Sequence, residues 1–245
     1  MQSNDLKLEQ LRQKLSPVKR LAWMPIVQEG DGILTASKFA GKPWLRAEEQ
    51  WPICPNCHKK LQFFLQLNLD KLPDKLKGKF GNGLLQFFCC INKKTECAYE
   101  AWQPFAETYL LRIVQPDNNT PNLETIPEDS FPAKLIVGWE EIDDYPSLDE
   151  EDPELTQGIT MEKEERDLFY ENLMYLDRDK LAGWPQWIQY HQYPNCPTCN
   201  QPMNQFVFEI DSEDNIPYMW GDVGIGYMIQ CPTHKEQLAF LWQCS

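Results

Sequence analysis

The sequence predicts an α+β fold, mainly antiparallel β, assembled from two pseudo-symmetric β-rich halves that arose by internal duplication and each carry a zinc knuckle. Three observations lead there. Over twenty gapless positions the chain matches itself at an offset of 142: Lys38, Ala40, Gly41, Pro43, Gln50, Pro52, Cys54, Pro55 and Cys57 reappear as Lys180, Ala182, Gly183, Pro185, Gln192, Pro194, Cys196, Pro197 and Cys199. Apolar runs are short, several alternate with period two, and Gly, Pro, Asn and Asp separate them, a pattern of strands joined by turns. Each copy also holds a Cys-Pro-x-Cys pair upstream of a second cysteine group.

A chain of 245 residues with 42% hydrophobic and 12% aromatic content can bury a sizeable core. The formal charge of −14 argues against a nucleic-acid binder, because affinity for phosphates comes from Lys and Arg. A basic protein is the partner this charge favours. No apolar leader and no membrane-length apolar window are found, so the cytoplasm is the expected compartment. In that reducing setting nine cysteines, an odd number, point to metal ligation rather than disulfides.

Along the chain, 1–20 reads as an N-terminal helix, with Leu6, Leu8, Leu11 and Leu15 forming a stripe expected to lie on the first sheet. Residues 21–116 form the first half. Runs broken by Pro25 and by Glu29-Gly30-Asp31-Gly32 read as strand, turn, strand; 61–69 alternates as a half-buried strand, 84–90 as a strand ending in cysteines, and 109–114 as another. Residues 117–159 form an acidic connector with a strand at 132–137. Its run from Glu140 to Glu154, nine acids and no base, reads as a solvated loop or an interaction surface. Residues 160–245 form the second half: a helix at 160–175 expected to pack on that half's sheet, then strands at 206–210, 227–230 and 238–242. The whole is one compact pseudo-duplicated domain.

In the second half Cys196, Cys199, Cys231 and His234 supply two donor pairs on tight turns, the spacing of a closed tetrahedral zinc site. In the first half Cys54 and Cys57 need two partners from Cys89, Cys90 and Cys97. Strand alternation sets Cys89 on the face of Leu85 and Phe87, and Cys90 on that of Gln86. The favoured set is therefore Cys54, Cys57, Cys90 and Cys97, with Cys89 a buried thiol; Cys89 and His58 are the rival ligands. Both Zn2+ sites are expected to be structural, since four protein ligands leave no position for a reactive water. No Walker loop is present, Gly221 to Gly226 reading as a glycine turn before a strand.

Lys180-Leu-Ala-Gly-Trp-Pro-Gln-Trp-Ile-Gln189, Trp220-Gly-Asp-Val-Gly224 and the stretch from Trp139 to Pro146 resemble segments of the YwqG-like bacterial family of unknown function. The knuckles, and the run from Leu85 to Cys90 after Cys54-Pro-Asn-Cys57, are similar to the programmed cell death protein 2 family. These resemblances imply a pseudo-symmetric β fold without established enzymatic activity, and the second family implies Cys90 as the ligand. They further imply an escort for a basic ribosomal protein on one side, and a neighbour of toxin and immunity genes on the other.

The resulting expectation is a non-enzymatic, zinc-stabilised protein-binding module, an escort or immunity-type protein for a basic partner. The alternative is an enzyme working in the groove between the halves, with Asp222 or His191 beside a wall of Trp184, Trp187 and Trp220.

Overall fold

The computed structural model describes residues 2–117, 121–122, 126–147, 158–174 and 178–245. Ten strands form one antiparallel sheet: β1 (Arg20–Glu29), β2 (Lys38–Phe39), β3 (Gln62–Asn68), β4 (Leu84–Cys89), β5 (Tyr109–Val114), β6 (Lys134–Asp144), β7 (Lys180–Ala182), β8 (Gln205–Asp211), β9 (Ile225–Gln230) and β10 (Leu238–Gln243). Their spatial order is β10-β9-β8-β7-β1-β6-β2-β3-β4-β5. Among the described residues three α-helices accompany them, α1 (Gln2–Leu15), α2 (Cys97–Glu100) and α3 (Lys163–Asn172). Among the described residues no helix is long and apolar enough to cross a membrane.

The order reads the same from both ends. Strands β2 to β5 form one wing and β7 to β10 the other, with the long β1/β6 ladder between them. The first strands are exchanged: β1 pairs with β7, whereas β6 pairs with β2. Stretches 21–116 and 160–245 are thus hydrogen-bonded to each other through β1 and β7.

Several expectations change here. Pro25 does not break β1; it lies beyond the short β7 ladder at Ala22 and Trp23, just before a bulge at Ile26/Val27 that absorbs the irregularity. The acidic run is not a loop from its start, because Glu140 to Asp144 continue β6, and Asp144 is buried. Lysines made this possible: Lys75 pairs with Glu141, Lys19 with Asp143 and Lys180 with Asp144. The run's later acids, from Asp149 to Glu154, lie outside the described residues. Strand β3 is buried along its whole length rather than on one face. A bulge between Phe63 and Leu65 sends Phe63 toward Trp51 and Phe88, and Phe64 toward the central core, so both faces are covered.

The sheet curls until its edges meet. At the seam Tyr109 Oη in β5 accepts from Phe240 N in β10, 3.1 Å away, and Phe87 packs on Phe240 at 4.3 Å between centroids. Inside lie Phe39, Phe64, Phe87, Phe208, Trp220 and Phe240, contributed by both wings. Burying each ring contributes roughly 1.5–3 kcal/mol, so this shared core ties the wings together.

Neither long helix lies where the leucine stripes suggest. Leu11 and Leu15 of α1 pack with Phe169 of α3, Leu173 and Tyr145 in a separate cluster, closed at its rim by Lys7–Glu164 and Lys14–Glu165 pairs. Helix α3 starts with a capping box between Glu162 and Glu165. The two helices cover each other rather than the wings.

Candidate metal centres

Each wing carries a tight turn before its long strand, and the two turns match bond for bond. Cys54 N donates to Lys59 O at 2.8 Å and His58 N to Cys54 O at 2.9 Å; Cys196 N donates to Gln201 O at 2.8 Å and Asn200 N to Cys196 O at 2.8 Å. His58 and Asn200 each take a left-handed backbone with φ 56°. Asn and His accept that conformation better than most residues. His58 is exposed at the turn's outer corner, so it is placed as a turn residue and not among the cysteines.

The second pair of donors comes from the far end of the next hairpin. Cys90 and Cys231 each follow the last residue of a strand, β4 and β9, and Cys90 N donates to Thr108 O and Cys231 N to Gln237 O. Ladder positions settle the offset. Gln62 faces Cys89 as Gln205 faces Gln230, so Cys231 corresponds to Cys90, and Gln230 to Cys89. The constant offset of 142 fails because one residue is gained just before β8, where Leu61 matches Met203 but Gln62 matches Gln205, and the turn 212–224 is then two residues shorter than the turn 69–83, so that Cys90 meets Cys231.

Two clusters result, Cys54, Cys57, Cys90 and Cys97, and Cys196, Cys199, Cys231 and His234, with donor atoms all within 4.8 Å of one another in each. Both are geometrically able to hold a metal ion. In the first, Cys57 Sγ is 3.6 Å from Cys90 Sγ; in the second, Cys199 and Cys231 are 3.8 Å apart, and His234 Nδ1 lies 3.9 Å from Cys196 Sγ and 3.7 Å from Cys231 Sγ. An ion bound at ~2.3 Å by sulfur and ~2.0 Å by nitrogen in a tetrahedron would set ligand-to-ligand edges of about 3.5–3.8 Å. These four edges lie close to that size. Cys89 instead points into the central core with Leu85 and Phe87, and burial pushes its thiol far above the ordinary range.

Crowded thiols cannot all ionise without a cation. Burial opposes ionisation of Cys57, but hydrogen bonds from the Asn92 side chain and the Lys59 backbone, then from Cys90 and Cys54, outweigh it and bring the thiol down to about 6. At Cys196 burial is again outweighed, here by the backbone N–H groups of Cys199 and Thr198, and its thiol also falls to about 6. Cys90 and Cys97 are pushed up, by burial and by the neighbouring sulfurs. A divalent cation would remove that conflict, since thiolates are the binding form.

A family model for a domain of unknown function, DUF1963, matches residues 37–241. The chain belongs to the DUF1963 family. That span takes in both cysteine clusters and all strands but β1, with β10 reached to within two residues of its end. No curated protein matches the chain.

The alternative site fares differently in this DUF1963 fold. Trp220 is 1% exposed and stacks on Phe64, and Trp184 is buried with Nε1 donating to Val18 O. They are core, not the wall of an open groove. His191 sits beside Trp187, while Asp222 is exposed and offers its carbonyl to Ser245 N.

Proposed function

We propose that this chain is a zinc-stabilised, non-enzymatic protein-binding module for a basic partner, of the escort or immunity type. The observation that carries it is the size and closure of the two clusters: four protein donors each, with edges that suit one tetrahedral ion. Thiolate-rich sets of this kind select zinc or iron–sulfur chemistry over hard cations, and the single imidazole in the second set favours zinc. A closed shell has no place for a reactive water, so the ions would act by holding the turns in place. Internal duplication is supported by the matched turns and the palindromic strand order. Kinship to the YwqG-like family, and knuckles of the programmed cell death protein 2 type, rest on the quoted segments. The cytoplasm suits the reading, because thiols stay reduced there.

Elemental analysis of the purified chain tests the metal part: two zinc ions per chain are expected, and one, none or predominantly iron would overturn it. Affinity purification of tagged protein at low and at high salt tests the partner part. Recovery of no basic protein, or of one held equally at both salts, would count against it.

A further inference from the structure

We propose that the groove over the first cysteine cluster, formed by α2 and the loop after it, docks a lysine- or arginine-bearing segment of the partner. This rests on the reading of a basic partner and gives that partner a place on the molecule.

The groove belongs to one wing only. Strands β9 and β10 are joined by 231–237, a link just long enough to present Cys231 and His234, whereas β4 and β5 are joined by 90–108. The last ligand of the first cluster is Cys97, so 98–108 are not needed to complete it. Yet this surplus holds three large rings in water: Tyr99, Trp102 and Phe105 are 49%, 45% and 42% exposed. Each forgoes part of the stabilisation that burial would give; Tyr99 and Trp102 line the same groove, and exposed aromatics grouped on one surface mark interaction sites.

Charge chooses the occupant. The groove, of about 350 Å³, is lined by Glu96, Tyr99, Glu100, Trp102, Gln103 and Glu107, with no Lys or Arg among its lining residues. Among the described residues these three glutamates form no ion pair. Glu100 is steadied by Asn56, whose Nδ2 donates to Oε2 at 2.6 Å, and Asn56 lies between Cys54 and Cys57 in the knuckle. The groove floor is therefore braced against the metal turn. Of the four acids of β6, Glu141, Asp143 and Asp144 already hold lysines, which leaves Glu140 alone. Carboxylates around an open indole suit a guanidinium or ammonium group, which hydrogen-bonds to the first and stacks over the second.

The test uses full-length, metal-loaded protein and a fluorescein-labelled nonapeptide of alternating Arg and Gly, followed by anisotropy at low and at physiological salt. Trp102→Ala, and separately the triple change Glu96→Gln, Glu100→Gln and Glu107→Gln, are each expected to weaken binding at least tenfold while keeping the wild-type metal content. A second triple change removing equal charge elsewhere, Glu128→Gln, Glu140→Gln and Glu213→Gln, is expected to weaken it less than threefold. Equal loss from both triples, or full binding by the groove variants, overturns the groove and leaves the basic-partner reading standing. Failure of the wild-type protein to bind the peptide at either salt overturns both. A concentration-dependent dimer that Trp102→Ala abolishes, with peptide binding unchanged, would assign the groove to a second copy of this chain instead.

Discussion

Gln66 and Glu209 occupy matching places in the two wings, and one carries an amide where the other carries an acid. Gln66 Oε1 accepts from Trp44 N, and Glu209 Oε2 from Gln186 N, both at 3.0 Å. Around them the wings also agree. Lys38 is held by Asp31 at 2.6 Å, as Lys180 is held by Asp144 at 3.1 Å, and each aspartate also accepts from a backbone N–H, that of Lys42 or of Trp184. The extra carboxylate gives Lys180 a second partner, Glu209 at 3.2 Å, in a site that is almost fully buried.

That difference predicts a pH effect in one wing. Burial pushes the Glu209 carboxyl up to about 7, against the pull of Lys180. From about pH 4.5 to 7 the folded chain holds this proton and the unfolded chain has released it, so stability falls as pH rises through that window. Glu209→Gln should remove this slope and leave Lys180 on Asp144, as Lys38 stands on Asp31. The stability of wild type relative to the variant is expected to fall by about 2–3 kcal/mol between pH 5 and 8, by urea unfolding of both. A gap that does not change with pH would mean that Glu209 is already ionised at pH 5.

Gly183 turns the chain between Lys180 and Trp184, with φ 81°. A Cβ there would collide with Asp144 Oδ2 and sit 2.7 Å from Ala22 Cβ, pressing on the aspartate that holds Lys180. Gly78 has a similar backbone, φ 71°, with nothing within 4 Å. Gly78→Ala should cost about 1 kcal/mol, the left-handed strain alone, and Gly183→Ala about 3 kcal/mol or more. Thermal unfolding of the two variants side by side checks the order; equal losses would show that the Asp144 contact is slack.

How much of this was legible in the sequence depended on range. Local chemistry could be read: the self-match placed both cysteine turns, and alternation along 84–90 put Cys90, not Cys89, on the side where Cys54 and Cys57 lie. Partner choice over long distances could not. Nothing in residues 20–29 says that they pair with 180–182, or that 134–144 pair with 38–39, because a partner remote in the chain leaves no mark on a strand's own alternation. Glu140 to Asp144 carry no strand signal of their own, because a run of acids looks like a loop until lysines 19, 75 and 180, remote in sequence, are brought beside it. Tyr99, Trp102 and Phe105 look like core residues in composition. Their signal was length, since 98–108 have no counterpart between Cys231 and Leu238.

Two cysteines of the first wing should separate in their effects. Cys54→Ser removes one of four donors and should take one ion per chain with it; apparent binding energies of ~10 kcal/mol or more for structural zinc make the loss large. Cys89→Ser leaves the donor set intact but puts a hydroxyl into the central core, at roughly 1–3 kcal/mol. Metal content is expected to fall from two to one in the first variant and to stay at two in the second. Loss of an ion from Cys89→Ser would reassign the ligand.

The second cluster offers a sharper comparison, because its one nitrogen donor can be exchanged. His234 Nδ1 faces Cys196 and Cys231, and the His234 backbone N–H donates to Cys231 Sγ at 3.3 Å, so the turn itself aims the ring at the site. A cysteine at 234 holds its sulfur one bond from Cβ where Nδ1 is two bonds away, and the longer metal–sulfur distance, ~2.3 Å against ~2.0 Å, recovers part of that difference. His234→Cys should therefore keep two ions per chain and convert the site to the all-thiolate set of the other wing. His234→Ala leaves three thiolates and an open position for water, and its second ion should pass to a chelator at least tenfold faster while the first is unaffected. Release kinetics with a colorimetric chelator distinguish the variants. An alanine variant that keeps both ions as firmly as wild type would show that His234 only neighbours the site, and simultaneous loss of both ions would show that the wings do not hold their metals independently.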